Sequence, residues 1–129
     1  MSDKPHPVGI NHVALEVGDV EAALKFYGRL FELHEVERSG SAAFIALGDQ
    51  FIALMKGRSQ PPDTIRHFGL VVDDKEATRR LLKDAGVEIL PGRFLDFRDP
   101  WGNRVQVVQY DQIRFAKTSA VLEEMGLTL

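Results

Sequence analysis

The chain has 129 residues, 44% of them hydrophobic, and this length and content suit one globular domain with a sizeable core. Its formal charge is -3, with acidic and basic residues mixed along the chain, which argues against a nucleic-acid partner and against a membrane surface. The absence of cysteine excludes disulfides and thiolate chemistry and is typical of a cytoplasmic protein.

The first predicted element is a strand over residues 10–17, INHVALEV, in which apolar and other side chains alternate. Its two faces carry Val13, Leu15 and Val17 on one side, and His12, Ala14 and Glu16 on the other. Gly18 ends this strand, and Asp19 is suited to cap a helix through VEAALKFYGRLF. HEVER, AAFIAL and QFIALM then predict three short strands, so the first half reads β-α-β-β-β.

The second half repeats this order after a linker, GRSQPPD, at residues 57–63. IRHFGLVV predicts a strand, Asp74 caps a helix through KEATRRLLKDA, and Gly86 ends that helix. VEIL, FLDF and NRVQVVQY predict the remaining strands. Residues 111–129 predict a C-terminal helix, which could cover a pocket, contact another subunit or dock on its own core. Its apolar residues at helical intervals are Ile113, Ala116, Ala120, Val121 and Met125.

The two halves are an internal repeat, because His67 follows His12 by 55 positions and neighbouring residues match at the same offset. The matching pairs include Ile10 with Ile65, Leu15 with Leu70, Val17 with Val72 and Asp19 with Asp74. Two copies are too few for a solenoid. We therefore expect one domain over residues 1–129, with modules at about 9–56 and 64–110 that complete a shared sheet and core.

Four features together resemble the vicinal-oxygen-chelate superfamily: the paired modules, a histidine in each leading strand, FYGRLF in the first helix, and FRDPWGNRVQVVQ near the end. That superfamily includes glyoxalase I, ring-cleaving dioxygenases, and fosfomycin-resistance and bleomycin-binding proteins. The resemblance covers about residues 9–110. It implies an α+β fold of two tandem βαβββ modules that form a curved mixed sheet or cup, with the C-terminal helix added. It also implies a homodimer.

The resemblance implies metal ligands at His12 in the first module and His67 in the second. The last strand of the family usually reads Gly-Asn-x-apolar-Glu, whereas this chain reads GNRVQ, so Gln106 replaces the carboxylate. In the first module the corresponding position falls on Ile52 or Ala53, and neither side chain can coordinate a metal.

Two neutral imidazoles and an amide oxygen can hold Fe²⁺, Mn²⁺, Ni²⁺ or Zn²⁺ and leave positions open for two neighbouring substrate oxygens. Gln106 removes a negative charge from such a set, which should weaken metal affinity. Proton abstraction beside a carbonyl would also need a base. Glu16 shares a face with His12 and is the local candidate, and the alternative is a charge at the rim of the cup.

Three further side chains are candidates for substrate binding. Arg104 and Tyr110 lie at even spacing from Gln106 and could orient a polar substrate, and their alternatives are a solvated charge and a half-buried aromatic. His34 could contribute if it faces inward. Four phenylalanines are expected in the core, and any that face the cup would favour an apolar substrate: Phe44, Phe51, Phe94 and Phe97.

Two functions stay open. One is a metal-dependent enzyme, glyoxalase- or dioxygenase-like, that acts on a small substrate with vicinal oxygens as a lyase, isomerase or dioxygenase. The other is a metal-free small-molecule binding protein of the bleomycin-resistance type. The two histidines favour the enzyme, whereas Gln106 and the non-coordinating FIA segment favour the binding protein. We prefer the enzyme.

Overall fold

The computed structural model describes residues 4–113 and 117–129, and within them two β-sheets pack with helices. In chain order the elements are β1 (His12–Val17), α1 (Val20–Leu30), β2 (Glu35–Arg38), β3 (Ala42–Leu47), β4 (Gln50–Lys56), β5 (Phe68–Val72), α2 (Lys75–Asp84), β6 (Leu95–Arg98), β7 (Arg104–Gln109), a 3-10 turn (Tyr110–Gln112) and α3 (Ser119–Glu124). Across the described ranges, no helix is long and apolar enough to cross a membrane.

Each module forms its own sheet around a parallel pair of strands, so within the described residues the modules share a core but not the single sheet expected from the sequence. The first sheet has the order β1-β4-β3-β2, with β1 parallel to β4 and His12 opposite Phe51. The second has the order β5-β7-β6, with β5 parallel to β7 and β6 antiparallel to β7. The repeat predicted from the sequence is therefore a repeat of topology as well.

The two main helices begin at the predicted caps. An Asp19 carboxylate oxygen accepts a hydrogen bond from Ala22 N at 2.8 Å, and Asp74 accepts one from Ala77 N at 3.0 Å. These bonds satisfy backbone donors that have no partner within the first turn of a helix. Gly86, at φ 72°, follows α2, where a residue with a side chain would be strained.

The second module departs from the predicted four strands. VEIL contributes only an isolated bridge between Ile89 and Phe97, with one backbone bond from Leu90 N to Asp96 O at 2.8 Å. Pro91 has no N–H to donate, and Gly92 adopts φ 137°, so the chain turns away before a ladder can form.

The C-terminal helix is shorter than its periodicity predicted. Helix α3 has six residues, because Thr118 caps its start and Gly126, at φ 75°, follows its end. Leu122 is buried, and Met125 packs so closely on Gly48 that a Cβ there would lie 2.6 Å from its sulfur. The helix therefore docks on its own chain. Ala116 of the predicted pattern lies outside the described residues.

Both modules share one hydrophobic core. It contains buried side chains from the two sheets and from both long helices, including Val17, Leu54, Leu82, Phe97 and Val107. Since side chains alternate along a strand, the residues between these core positions face away from the core. The shared core thus leaves each sheet with an outer face.

A buried carboxylate joins the modules beside this core. Tyr27, in α1, donates to Asp99 Oδ2 at 2.7 Å, and Asn103 Nδ2 donates to the same oxygen at 2.8 Å. That amide also donates to Glu16 O at 2.9 Å, in the first module. Burial, together with the charge of Asp99 and its hydrogen bond, raises the pKa of Tyr27 well above its usual value. Tyr27 is therefore a neutral donor at physiological pH.

Replacing Tyr27 by Phe keeps the ring and leaves Asp99 Oδ2 with the Asn103 amide alone. We expect the free energy of unfolding to fall by about 1–3 kcal/mol, as for other buried acceptors that lose a donor. Urea denaturation followed by circular dichroism measures the loss. Tyr110→Phe is the matched control, because that hydroxyl donates to Lys117 O at 3.1 Å in a less buried place. An equal loss of unfolding free energy in both variants would contradict a special role for the hydrogen bond between Tyr27 and Asp99.

Candidate functional site

The candidate ligands lie on the outer faces of the two sheets. In β1, Leu15 and Val17 are buried in the core, so His12 lies on the opposite face. In β7, Val105 and Val107 are buried in the core, so Gln106 lies on the opposite face. We call these surfaces the first and second half-sites.

The first half-site is an aromatic surface around His12. The imidazole is exposed and stacks on Phe51, with ring centroids 4.7 Å apart and planes inclined by 17°. Phe44 lies against Phe51 at 5.1 Å. Two of the phenylalanines expected in the core therefore line this outer face, whereas Phe97 is fully buried and Phe94 is half exposed.

Both histidines have Nδ1 held by an oxygen. His67 Nδ1 lies 2.8 Å from Ile65 O, and His12 Nδ1 lies 2.8 Å from Asn11 Oδ1. These oxygens can only accept, so each Nδ1 carries the proton and the lone pair of the neutral ring is on Nε2. This is the arrangement found at metal-binding histidines, whose other ring nitrogen donates to a carbonyl or carboxylate.

The second half-site centres on a buried carboxylate that the sequence analysis missed. Asp96, in β6, is 3% exposed, and its Oδ1 lies 3.4 Å from Gln106 Nε2. Its Oδ2 accepts from Arg104 Nε at 2.7 Å. The signal was present in LDFR, where a polar residue lies between two apolar ones, but only the strand register pairs Asp96 with Gln106.

The register also decides which residue of the first module matches Gln106. Gln106 lies opposite the residue two positions after His67. In the first sheet the residue two positions after His12 is Ala14, and it lies opposite Ala53. Of the two positions left open by the sequence, Ala53 is thus the equivalent one, and its methyl group cannot bind a metal.

The remaining candidates lie elsewhere. Glu16 is four residues along β1 from His12, about 13 Å at strand spacing. Its carboxylate accepts from Ser59 N at 3.4 Å and Oγ at 3.2 Å. His34 and Tyr110 line a separate cavity of about 690 Å³. Many of the other side chains that line it belong to the hydrophobic core, so the cavity lies on the core side of the sheets. Tyr110 begins the 3-10 turn after β7, so strand alternation no longer sets its direction.

One chain holds the two half-sites on different sheets. Among residues 4–113 and 117–129, no three His, Cys, Asp or Glu side chains converge as a metal site. His12 contacts Asn11 and Phe51 of its own module, and His67 contacts Ile65 of the second.

Asp63 fastens the segment that leads to His67 onto the second sheet. Its Oδ2 accepts from Arg104 N at 3.1 Å, its Oδ1 accepts from Arg66 at 2.7 Å, and its carbonyl accepts from Arg98 at 2.8 Å. Burial acts to raise the pKa of Asp63. The hydrogen bonds from Arg66 and Arg104, with the charges of Arg66 and Arg58, outweigh burial and lower that pKa.

A family model and several known proteins match most of this chain. A family model described as the Glyoxalase/Bleomycin resistance protein/Dioxygenase superfamily matches residues 9–107. Metallothiol transferase FosB of Staphylococcus saprophyticus is 30% identical over 96 residues, which cover 70% of this chain but only 64% of FosB. Fosfomycin resistance protein FosX of Listeria innocua is 26% identical over 125 residues, covering 90% of this chain and 92% of FosX.

A solved structure shares the fold. The crystal structure of FosX from Listeria monocytogenes, complexed with Mn(II) and a sulfate ion, matches with a TM-score of 0.71 at 20% sequence identity. The match covers 93% of this chain and 99% of FosX. This agreement confirms the α+β fold expected from the sequence.

The lowered pKa of Asp63 should make the stability of the folded protein depend on pH in the acid range. Its pKa is lower in the folded chain, so the unfolded chain takes up the proton first as the pH falls. The stability it contributes is therefore present above about pH 4 and lost below it. We expect Asp63→Asn to lose less free energy of unfolding than wild type between about pH 5 and 3, measured by urea titrations. Asp111→Asn, at an exposed carboxylate, should keep the wild-type loss, and equal losses in wild type and Asp63→Asn would contradict this account.

Proposed function

This chain belongs to the Glyoxalase/Bleomycin resistance protein/Dioxygenase superfamily, and on that premise we propose that it is a metal-dependent enzyme acting on a small substrate with vicinal oxygens. The observation that carries the proposal is the state of the two repeated histidines. At both His12 and His67, an oxygen acceptor 2.8 Å from Nδ1 leaves Nε2 free as a ligand atom.

The donor set fits a divalent transition metal. His12 and His67 would each supply an imidazole nitrogen, and Gln106 would supply its amide oxygen. Such a set suits Fe²⁺, Mn²⁺, Ni²⁺ or Zn²⁺. A bound ion supplies a Lewis acid for a substrate oxygen. The Mn(II) in the FosX structure makes Mn²⁺ the first ion to test.

The other residues of the half-sites would bind and orient the substrate. Arg104 carries a positive charge on the face of Gln106 and would attract an anionic group. Phe44 and Phe51 form an apolar surface beside His12 that would contact an apolar part of the substrate. For Glu16, the distance along β1 and the bonds from Ser59 support the rim role over the base role.

The names of the relatives indicate a first assay. They include a metallothiol transferase and a fosfomycin resistance protein. Addition of a thiol or water to a small, oxygen-rich electrophile is chemistry that a metal-polarised oxygen would promote. Fosfomycin, with a thiol or water as the nucleophile, is the substrate pair to try first. The chain spans 64% of FosB, so that activity is a proposal here.

We also propose a homodimer, because the two half-sites lie on different sheets of one chain and each lies on the side of its sheet opposite the core residues. A second copy can place the first half-site of one chain on the second half-site of its partner, which completes the donor set. Exposed apolar side chains support such an interface: Met55, 41% exposed on the outer face of β4, and Phe94, 50% exposed beside β6. The cysteine-free composition is suited to the cytoplasm, and that location stays a prediction.

Elemental mass spectrometry of untagged protein tests the metal site. We expect near-stoichiometric metal after incubation with Mn²⁺ and removal of excess, and at least a roughly 10-fold weaker affinity in His12→Ala and His67→Ala, since each removes a ligand. His6→Ala is the matched control, because His6 is exposed in the segment before β1. Failure of Fe²⁺, Mn²⁺, Ni²⁺ and Zn²⁺ to bind wild type would overturn the proposal.

Mixed dimers test whether a site is shared between chains. After unfolding and refolding together, equal amounts of His12→Ala and His67→Ala chains should regain metal at about one quarter of all sites, because half of the dimers are mixed and each has one intact site. Each variant refolded alone should regain far less, because every site then lacks one histidine. No recovery in the mixture, with mixed dimers confirmed by native mass spectrometry, would contradict a site built from two chains.

A second function has its own support. Ala53 offers no ligand at the position that matches Gln106, and His12 lies stacked on an aromatic surface. These features suit a metal-free protein that binds an aromatic small molecule in the cup. Ligand binding that is unchanged by a chelator, in protein that takes up no metal, would favour this function over the enzyme.

A further inference from the structure

We infer that Asp96 is a positioning residue that orients the two functional side chains of the second half-site. It holds Nε2 of Gln106, which leaves Oε1 as the atom that would bind a metal, and it holds the guanidinium of Arg104 beside it. The inference rests on the proposed metal site and concerns a residue that was not among the candidates from sequence.

The register of β6 and β7 brings these side chains together. Asp96 lies directly opposite Gln106, and residues opposite each other in an antiparallel pair have Cβ atoms about 5 Å apart. Oδ1 faces Gln106 Nε2 at 3.4 Å, and Oδ2 faces Arg104 Nε at 2.7 Å. A carboxylate as buried as this one must be paired, and its two oxygens have these two partners.

The carboxylate decides which end of the amide is free. A glutamine amide can rotate by half a turn, and either its oxygen or its NH₂ group can then face a ligand. An ionised carboxylate only accepts hydrogen bonds, so Gln106 turns Nε2 toward Asp96 and leaves Oε1 for a cation. Without Asp96, the NH₂ group of Gln106 could turn toward a bound metal, and its nitrogen is a poor ligand because its lone pair is delocalised into the carbonyl group.

Asp96 also explains why an amide suits position 106. A glutamate there would place a second carboxylate against Asp96, and two adjacent carboxylates repel each other in a buried place. Asp96 thus supplies the negative charge that Gln106 lacks, at a position behind the candidate ligand. Arg104 partly balances that charge. Aspartate and glutamine are complementary at these two positions.

Mn²⁺ titration calorimetry on the full chain tests this positioning. We expect Asp96→Leu to weaken Mn²⁺ binding about 10- to 100-fold, as other losses beside a metal ligand do. Asp96→Asn keeps an acceptor oxygen and should recover part of that loss. In a Gln106→Leu background, Asp96→Leu should have a much smaller further effect, because the side chain that it orients is gone and only the more distant charge of Asp96 is lost. A full further loss in that background would overturn the inference.

A second test moves the carboxylate from position 96 to position 106. Gln106→Glu alone should change Mn²⁺ affinity little, whereas Gln106→Glu with Asp96→Asn should tighten it about 10-fold or more, because the amide introduced at position 96 can donate to the new carboxylate. Equal tightening by Gln106→Glu with and without the Asp96→Asn substitution would overturn the inference.

A metal-free measurement separates this inference from the proposed function. A double-mutant cycle of Asp96→Leu and Gln106→Leu, read from urea unfolding of the metal-free protein, should show non-additive losses. Additive losses would overturn the Asp96–Gln106 contact. Coupled losses in a protein that binds no Mn²⁺ would retain the contact and reject the metal site.

Discussion

Asp99 is the constraint on which the arrangement of the two modules depends. Its buried carboxylate accepts from Tyr27 in the first module and from the turn that leads into β7 in the second. Trp101 N also donates to it at 3.0 Å. Because a buried carboxylate is costly unless every oxygen is paired, the modules can meet in few ways that keep these bonds. The hydrophobic core shared by both sheets then follows from that meeting.

The shared core has a consequence for function. Each sheet gives one face to the core, so the faces that carry His12 and Gln106 point away from it. The candidate ligands that the sequence repeats at equivalent places therefore lie on different sheets of one chain, and the site proposed above would need a second copy. In this fold the packing that stabilises the monomer and the geometry that would bind substrate are two outcomes of the same alternation along each strand.

Three buried aspartates hold different parts of the second module in place. Asp99 joins it to the first module, Asp63 fixes the segment before His67, and Asp96 holds the side chains of the half-site. Each carboxylate accepts at least one hydrogen bond from a donor in a different element of the structure. Such pairing costs desolvation, but it gives directional contacts that an apolar core lacks. The position and orientation of functional groups depend on it.

The sequence by itself determined what is decided over a few residues: the alternation of β1 and β7, the caps at Asp19 and Asp74, and the topology repeated with the two histidines. Local hydrogen bonds and side-chain periodicity suffice for these features. The tertiary structure alone decided that Ala53 and not Ile52 matches Gln106, and that Asp96 lies against Gln106. It also decided the contact of Tyr27 with Asp99, 72 residues apart. Register and the facing of modules depend on packing between distant segments, which no local pattern encodes.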